Sequence, residues 1–302
     1  MTKLVLIDGN AIMHRAFHAM PRLTDKKGEP IGAVYGLVSM LLKLVEVLTP
    51  THIAVCFDRK EPTFRKKEYK AYQAQRPETD ADLTSQFAKA KKVLDAMKIE
   101  TFDKAGFEAD DLIGTIVTNS KQDEVVIVTG DRDIFQLVDD KKKIRLYMPV
   151  KGLSDYKIYK EADVVERMGV RADQIIDFKA LVGDPSDNYP GVSGIGPKTA
   201  TNLLAKYKSM ENIFDNLQDL PKSIKSKLEK GKSDAEMSQK LAKIIKNVPI
   251  KYDASKMDDW DLGNPDVVNL FLKIGFRTLT KRIGGEVPQD EKIKKNLRKN
   301  EI

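Results

Sequence analysis

Thiolate and imidazole are scarce in this chain of 302 residues, which has one cysteine and three histidines. Cys56 alone cannot close an intrachain disulfide, so a reducing cytoplasm is the expected setting. Inside an apolar run it reads as buried filler rather than a nucleophile. His14 and His18 stand four apart on a predicted helix, but Arg15 occupies the place where a zinc-protease motif needs glutamate. They read as core or phosphate-proximal residues. Nowhere are there about 18 consecutive apolar residues, so no membrane span is expected. The opening run LVLI lacks the basic lead, the length and the small-residue cleavage site of a secretory peptide, and export is not implied.

What the chain does have is charge. Its formal net charge is +7 and its pI about 9.1, a balance that favours a polyanionic partner. Lysines and arginines spread along the chain, whereas acidic residues gather at the ends of apolar runs. A basic molecule with an acidic hole suggests phosphate plus metal. LVLI ends at Asp8, IAVCF at Asp58, and VVIVTG at Asp131 and Asp133. Amphipathic stretches at Tyr35 to Leu48 and Leu83 to Met97 separate these strand-like runs, so a parallel α/β sheet is expected, with four aspartates at the edge where such sheets bind ligands. From about Asp173 helical segments follow, at Ile175 to Val182, Lys198 to Tyr207, Ala235 to Ile245 and Pro265 to Ile274. The expected division is an α/β core over 1–172, a helical portion over 173–285 and a solvated tail over 286–302.

The candidate acidic residues are Asp8, Asp58, Glu108, Asp110, Asp111, Asp131, Asp133, Asp184 and Asp187. Each has a plain alternative. Strand-end aspartates often cap helices, acid at the start of FEADDLIGTI suits the helix dipole, and GDPSDN could be an ordinary turn. Together they would crowd like charges into one crevice with no local arginine to neutralise each, which requires cations. Oxygen-only ligands point to Mg²⁺ or Mn²⁺ rather than zinc. Two such ions roughly 4 Å apart would activate water and stabilise the leaving oxygen in phosphodiester hydrolysis. A phosphatase with an Asp-x-Asp start is discounted, because Asn10 stands at the second aspartate.

Two further stretches suit nucleic acid. In FRKKEYKAYQAQR, Arg65, Tyr69, Tyr72 and Arg76 follow the i, i+4, i+7, i+11 spacing of one helix face, so cations and rings would meet phosphates and unpaired bases. A solvated helix with its tyrosines packed inward is the plain alternative. In GVSGIGPKTATNLL the glycines permit close approach, Pro197 suits a first helical position, and a helix start can grip phosphate.

Six motifs in order, LVLIDGNAIMHRAFHAMP, AVYGL, FDRKEPTFRKKEYKAYQAQRP, GFEADDLIG, VTGDRDIFQLV and GDPSDNYPGVSGIGPKTA, resemble the polymerase I 5′-nuclease and flap endonuclease family from about residue 3 to 280. The resemblance implies a Rossmann-like (PIN-like) core, a helical arch at about 62–98, and a SAM-fold-like helical module with a helix–two-turn–helix motif. It implies two Mg²⁺ or Mn²⁺ ions held by the nine carboxylates named above, with Arg65 steering the scissile phosphate. Lys66, Tyr69, Lys70, Tyr72 and Arg76 would contact DNA from the arch. Gly194, Gly196, Lys198 and Thr199 would do so from the duplex loop, where K⁺ can sit on backbone carbonyls. The implied enzyme is a monomeric 5′→3′ exonuclease and flap endonuclease, acting on flapped, nicked or branched DNA and RNA–DNA hybrid in primer removal and repair, at the nucleoid in the cytoplasm. One departure stands out: Gln73 replaces the usual arch lysine. A catalytically silent DNA-structure-binding protein of this fold, and a related RNase, are the competing readings. The complete carboxylate set argues against the first, and the GVSGIGPKT loop would be superfluous in the second.

Overall fold

The computed structural model describes residues 1–151 and 155–287. The expected tail therefore lies almost wholly outside the described residues. The elements run β1 (Lys3–Asp8), α1 (Gly9–Ala19), α2 (Gly32–Leu48), β2 (His52–Cys56), α3 (Phe64–Glu68), α4 (Ala81–Ala96) and β3 (Glu100–Phe102), followed by α5 (Ala109–Asn119), β4 (Glu124–Val128), β5 (Ile144–Lys151) and β6 (Asp155–Tyr159). Helices then follow one another: α6 (Glu161–Met168), α7 (Ile175–Val182), α8 (Pro197–Tyr207), α9 (Met210–Asp215), α10 (Lys222–Lys230), α11 (Lys232–Ala242), α12 (Pro265–Ile274) and α13 (Arg277–Arg282).

The sheet has the order β3-β2-β1-β4-β5-β6. All pairs are parallel except β5 with β6. Alternation along β1 explains how both faces are covered, because successive side chains point to opposite sides. Leu4 and Leu6 join a core with α5 and the helices that follow β6. Val5 and Ile7 join a second core with α1, α2 and α4. Chain order reverses about β1, whose neighbours are β2 and β4. The carboxyl ends of these three strands share one crevice, which is where open sheets of this kind bind ligands.

The GVSGIG loop is tied to α7 by two glycines. Gly183 and Gly191 both have positive φ, and a Cβ on Gly191 would lie 2.2 Å from the Gly183 nitrogen. Only glycine permits that approach. Val192 N–H then bonds Leu181 O at 2.9 Å, folding the loop back on α7.

The last helices do not stay with the C-terminal half. Val267, Phe271, Phe276 and Leu279 pack into the core under α2 and α4, and the Phe271 and Phe276 rings meet edge to face at 5.5 Å. Phe271 is fully buried. Phe271→Ala should remove about 3–5 kcal/mol of stability through lost burial and a residual cavity. Urea unfolding measures this, and a loss below about 1 kcal/mol would mean that α12 is not part of the main core.

Candidate metal centre

Local hydrogen bonding aims the strand-end acids into the crevice. Asp8 caps α1, with Oδ1 accepting from Ala11 N at 2.9 Å, while Oδ2 accepts from Thr129 Oγ1 at 2.7 Å. Asp58 N–H donates to Asn10 Oδ1 at 3.0 Å, and its Oδ1 accepts from Ala109 N at 2.7 Å at the start of α5. Asn10, the residue that argued against a phosphatase, thus holds the Asp58 backbone. Asp131 Oδ1 accepts from Asp133 N at 2.9 Å. Glu108 accepts from Thr63 Oγ1 at 3.1 Å, and its Oε2 lies 3.2 Å from Tyr72 Oη. The side chain of Asp110, in the first turn of α5, has no hydrogen bond or ion pair among the described residues.

One cavity is lined by Asp8, Asp58, Glu108, Asp110, Asp131, Asp133 and Asp187, with His14 on its wall. Asp184 stands beside it, and carboxylate oxygens of Asp133, Asp184 and Asp187 lie within 4.8 Å of one another. Burial, reinforced by Asp58, pushes Asp8 up to about 7. Burial does the same for Glu108 despite Arg65, and for Asp133, where Asp131 adds to it. Desolvation against the cavity wall raises Asp58, although its side chain reaches solvent, and desolvation together with Asp131 raises Asp110 well above the usual carboxylate range. Acids this reluctant to ionise are short of positive charge. A donor set of oxygens, with one carboxylate left unpartnered, fits hard divalent cations.

One of the nine acids is engaged otherwise. Asp111 is fully buried. It receives Arg65 Nη1 and Nη2 at 2.8 Å each and Ile245 N at 2.8 Å. As a metal ligand it is corrected to a structural counter-ion, because its oxygens face Arg65 and the backbone. The expectation that no local arginine neutralises these acids is corrected too. Arg65 serves Asp111 and lies 3.4 Å from Glu108; Arg76 lies 2.5 Å from Asp187; Lys179 bridges Asp133 and Asp184. Lys179 escaped the sequence reading. Its one signal was a lysine in the apolar helix IIDFKALV.

Arg65 is also not available to steer a phosphate. Its side chain is 3% exposed, and Nε and Nη2 donate to Leu241 O and Lys243 O at 2.8 Å. Nor do Arg65, Tyr69, Tyr72 and Arg76 share a helix face, since α3 stops at Glu68 and turns follow. Tyr72 is buried, stacked near Tyr189, and donates to Asp187 Oδ2 at 3.1 Å, so it cannot receive a base. Lys66 donates to Tyr72 O at 2.7 Å. Gln73 adopts φ +53° and donates to Asp187 Oδ1 at 3.1 Å. Lys70 is exposed and Tyr69 half-buried. Gly194, Gly196 and Lys198 are exposed at the start of α8, with Thr199 half-buried beside them and Pro197 at the first helical position.

Removing the Arg65 charge would strand Asp111 in the interior, so Arg65→Met should cost about 3–5 kcal/mol of stability by urea unfolding. Wild-type stability would instead return Arg65 to substrate contact. A second outcome concerns pH. Asp8, Glu108 and Asp133 titrate near 7 in the fold but near 4 when unfolded. Between these values the folded state binds more protons, so stability is full below the unfolded pKa and is lost as pH rises through about 7. Thermal unfolding in chelator should therefore show a falling Tm from pH 5 to 8, with a divalent ion restoring progressively more. A flat profile in chelator would show that these acids are not desolvated.

Comparison with known proteins agrees with this architecture. The 5′-3′ exonuclease N-terminal resolvase-like domain matches residues 3–169, and the 5′-3′ exonuclease C-terminal SAM fold matches residues 170–266. A Bacillus subtilis 5′-3′ exonuclease is 40% identical over 82% of this chain and 85% of its own length. Bacillus subtilis DNA polymerase I is 38% identical over 96% of this chain, which spans only 34% of that relative. The crystal structure of the bacteriophage T5 flap endonuclease with DNA and metal ions superposes with a TM-score of 0.65 at 22% identity, covering 93% of this chain and 97% of that one. At that identity the likeness is one of fold. With both domains matched along most of its length, the chain belongs to the 5′-3′ exonuclease family.

Proposed function

We propose that the protein is a structure-specific 5′-nuclease, hydrolysing phosphodiester bonds in flapped, nicked or branched DNA with two Mg²⁺ or Mn²⁺ ions. The observation that carries this reading is the gathering of seven carboxylates in one cavity. The names of the relatives, and the DNA and metal ions bound to the T5 enzyme, support it.

Asp8, Asp58, Asp110 and Asp131 would hold one ion, and Asp133, Asp184 and Asp187 the other. Bound there, divalent ions supply an activated water and charge for the leaving oxygen. The chain's own part is to fix the carboxylates from rigid strand ends, with Thr129, Asn10 and the Ala109 amide holding their orientation. Exposed Lys198 and the amides at the start of α8 would grip duplex backbone, fixing where the strand enters without reading sequence. K⁺ on the loop carbonyls belongs to the same reading; Gly194 O already accepts from Lys227 Nζ at 3.1 Å. No helix among the described residues is long and apolar enough to cross a membrane. Action at the nucleoid, in primer removal and repair, belongs to the same reading, as does a monomeric enzyme.

A 5′-flapped DNA, a blunt duplex and a single-stranded RNA, each incubated with Mg²⁺ or with chelator, test the reading. Flap cleavage should dominate and vanish in chelator; cleavage of RNA alone would overturn it. Asp131→Ala should abolish cleavage yet leave flap affinity within about two-fold, because it deletes a carboxylate and not the cationic surface. Near wild-type turnover would remove Asp131 from the site.

A further inference from the structure

The two halves of the acidic cluster are neutralised in different ways. Among the described residues, no lysine or arginine forms an ion pair with Asp8, Asp58, Asp110 or Asp131. The other half is closed by the protein's own donors. Lys179 Nζ bridges Asp133 and lies 2.6 Å from Asp184. On Asp187, Arg76 Nη2 sits at 2.5 Å and Gln73 Nε2 at 3.1 Å from Oδ1. These are the three acids whose oxygens converge within 4.8 Å.

Lys179 is 7% exposed, in the last turn of a helix that is otherwise largely apolar. An aliphatic residue would fill that place without the penalty of desolvating an ammonium. The charge is therefore explained by what it faces. Three converging carboxylates repel one another unless a cation stands among them. Lys179 offers a compact point charge on a flexible four-carbon stem, which can fill the space between the acids and also withdraw from it. An ammonium and a divalent ion cannot share the same oxygens at the same moment.

We propose that Lys179 is an internal, displaceable counter-ion, and that a divalent ion enters the Asp133–Asp184–Asp187 half only by displacing its ammonium. The two ions then bind unequally. The half around Asp8, Asp58, Asp110 and Asp131, free of ion pairs, fills first, and the half held by Lys179 fills late and weakly. Arg76 adds to this closure on Asp187 and links it to the segment that carries Gln73. The proposal rests on the two-ion reading above, but its test measures ion binding and not cleavage, so the two fail separately. The competing role for Lys179 is a strut that holds Asp133 and Asp184 in place, and it predicts the opposite change in affinity.

Free Mn²⁺ followed by electron paramagnetic resonance during titration of the full chain should reveal a tight and a weak class of site. In Lys179→Met the weak class should tighten by about ten-fold or more, the scale of one unit charge removed at ion-pair distance, with the tight class unmoved. Lys179→Arg, which keeps the charge, should leave the weak class weak. An unchanged or further weakened class in Lys179→Met overturns the proposal in favour of the strut. A measurement on the wild-type chain stands even if that variant does not fold. In ¹⁵N-lysine-labelled protein, the exchange-protected ammonium signal of Lys179 should persist through the first equivalent of Mg²⁺ and disappear with the second. Its survival at saturating Mg²⁺ would overturn the proposal equally.

Discussion

Mutual repulsion among carboxylates held at one sheet edge is the constraint on which the rest of this structure depends. Three parallel strands end side by side, and each delivers acid into one shared cavity. The fold opposes the resulting strain with partial positive charge. The N-termini of α1 and α5 both open on the cavity, Asp8 accepts from the first, and Asp58 accepts from the second although it lies on another strand. Backbone dipoles of this kind stabilise anions without adding a mobile charge that would compete with a bound ion.

Where full cations are used, they also fasten the two halves of the chain together. Arg65 joins α3 to Asp111 on α5 and to two carbonyls at the C-terminal end of α11, those of Leu241 and Lys243. Gln136 donates to Ala242 O and accepts from Ile244 N, and Thr115 Oγ1 accepts from Val248 N. The segment after α11 is thereby bonded along its length to the α/β core. A buried ion pair is a poor source of net stability but a strong constraint on geometry, since either partner alone is an unpaired interior charge. Here it sets where the helical portion sits relative to the cavity.

The fold was legible wherever burial imposed a period. LVLI, IAVCF and VVIVTG are read as strands because both sheet faces are covered, and Ile175–Val182 and Pro265–Ile274 emerge with the expected bounds. β3 has three residues and β6 is a largely exposed edge strand, so neither displays a pattern strong enough to read. The return of α12 and α13 to the first core is a tertiary event that no local signal announces. In the site, the strand-end aspartates were legible because strand direction fixes where they point. Asp111 and Arg65 were misplaced for the converse reason: charge in a sequence reads as solvated or functional, and only packing reveals that two charges satisfy each other inside.

The misread helix between Phe64 and Arg76 shows how tertiary bonds replace a local ladder. Helical spacing extends through Arg76, but the backbone leaves the helix at Tyr69 and takes other partners. Lys66 Nζ donates to Tyr72 O, Asn188 Nδ2 to Ala71 O at 2.8 Å, and Gln73 N to Asp187 O at 2.9 Å. The segment is thus moulded on the loop that carries Asp184 and Asp187. This places Gln73 beside Asp187, in a left-handed conformation, with its amide as a neutral donor to a carboxylate already paired with Arg76. A lysine in the same place would add a second cation to Asp187, next to the pair already bridged by Lys179. The glutamine therefore fits a site whose closing charge comes from Arg76 and Lys179, and the positive charge missing from position 73 is found on the neighbouring elements that face the same three acids.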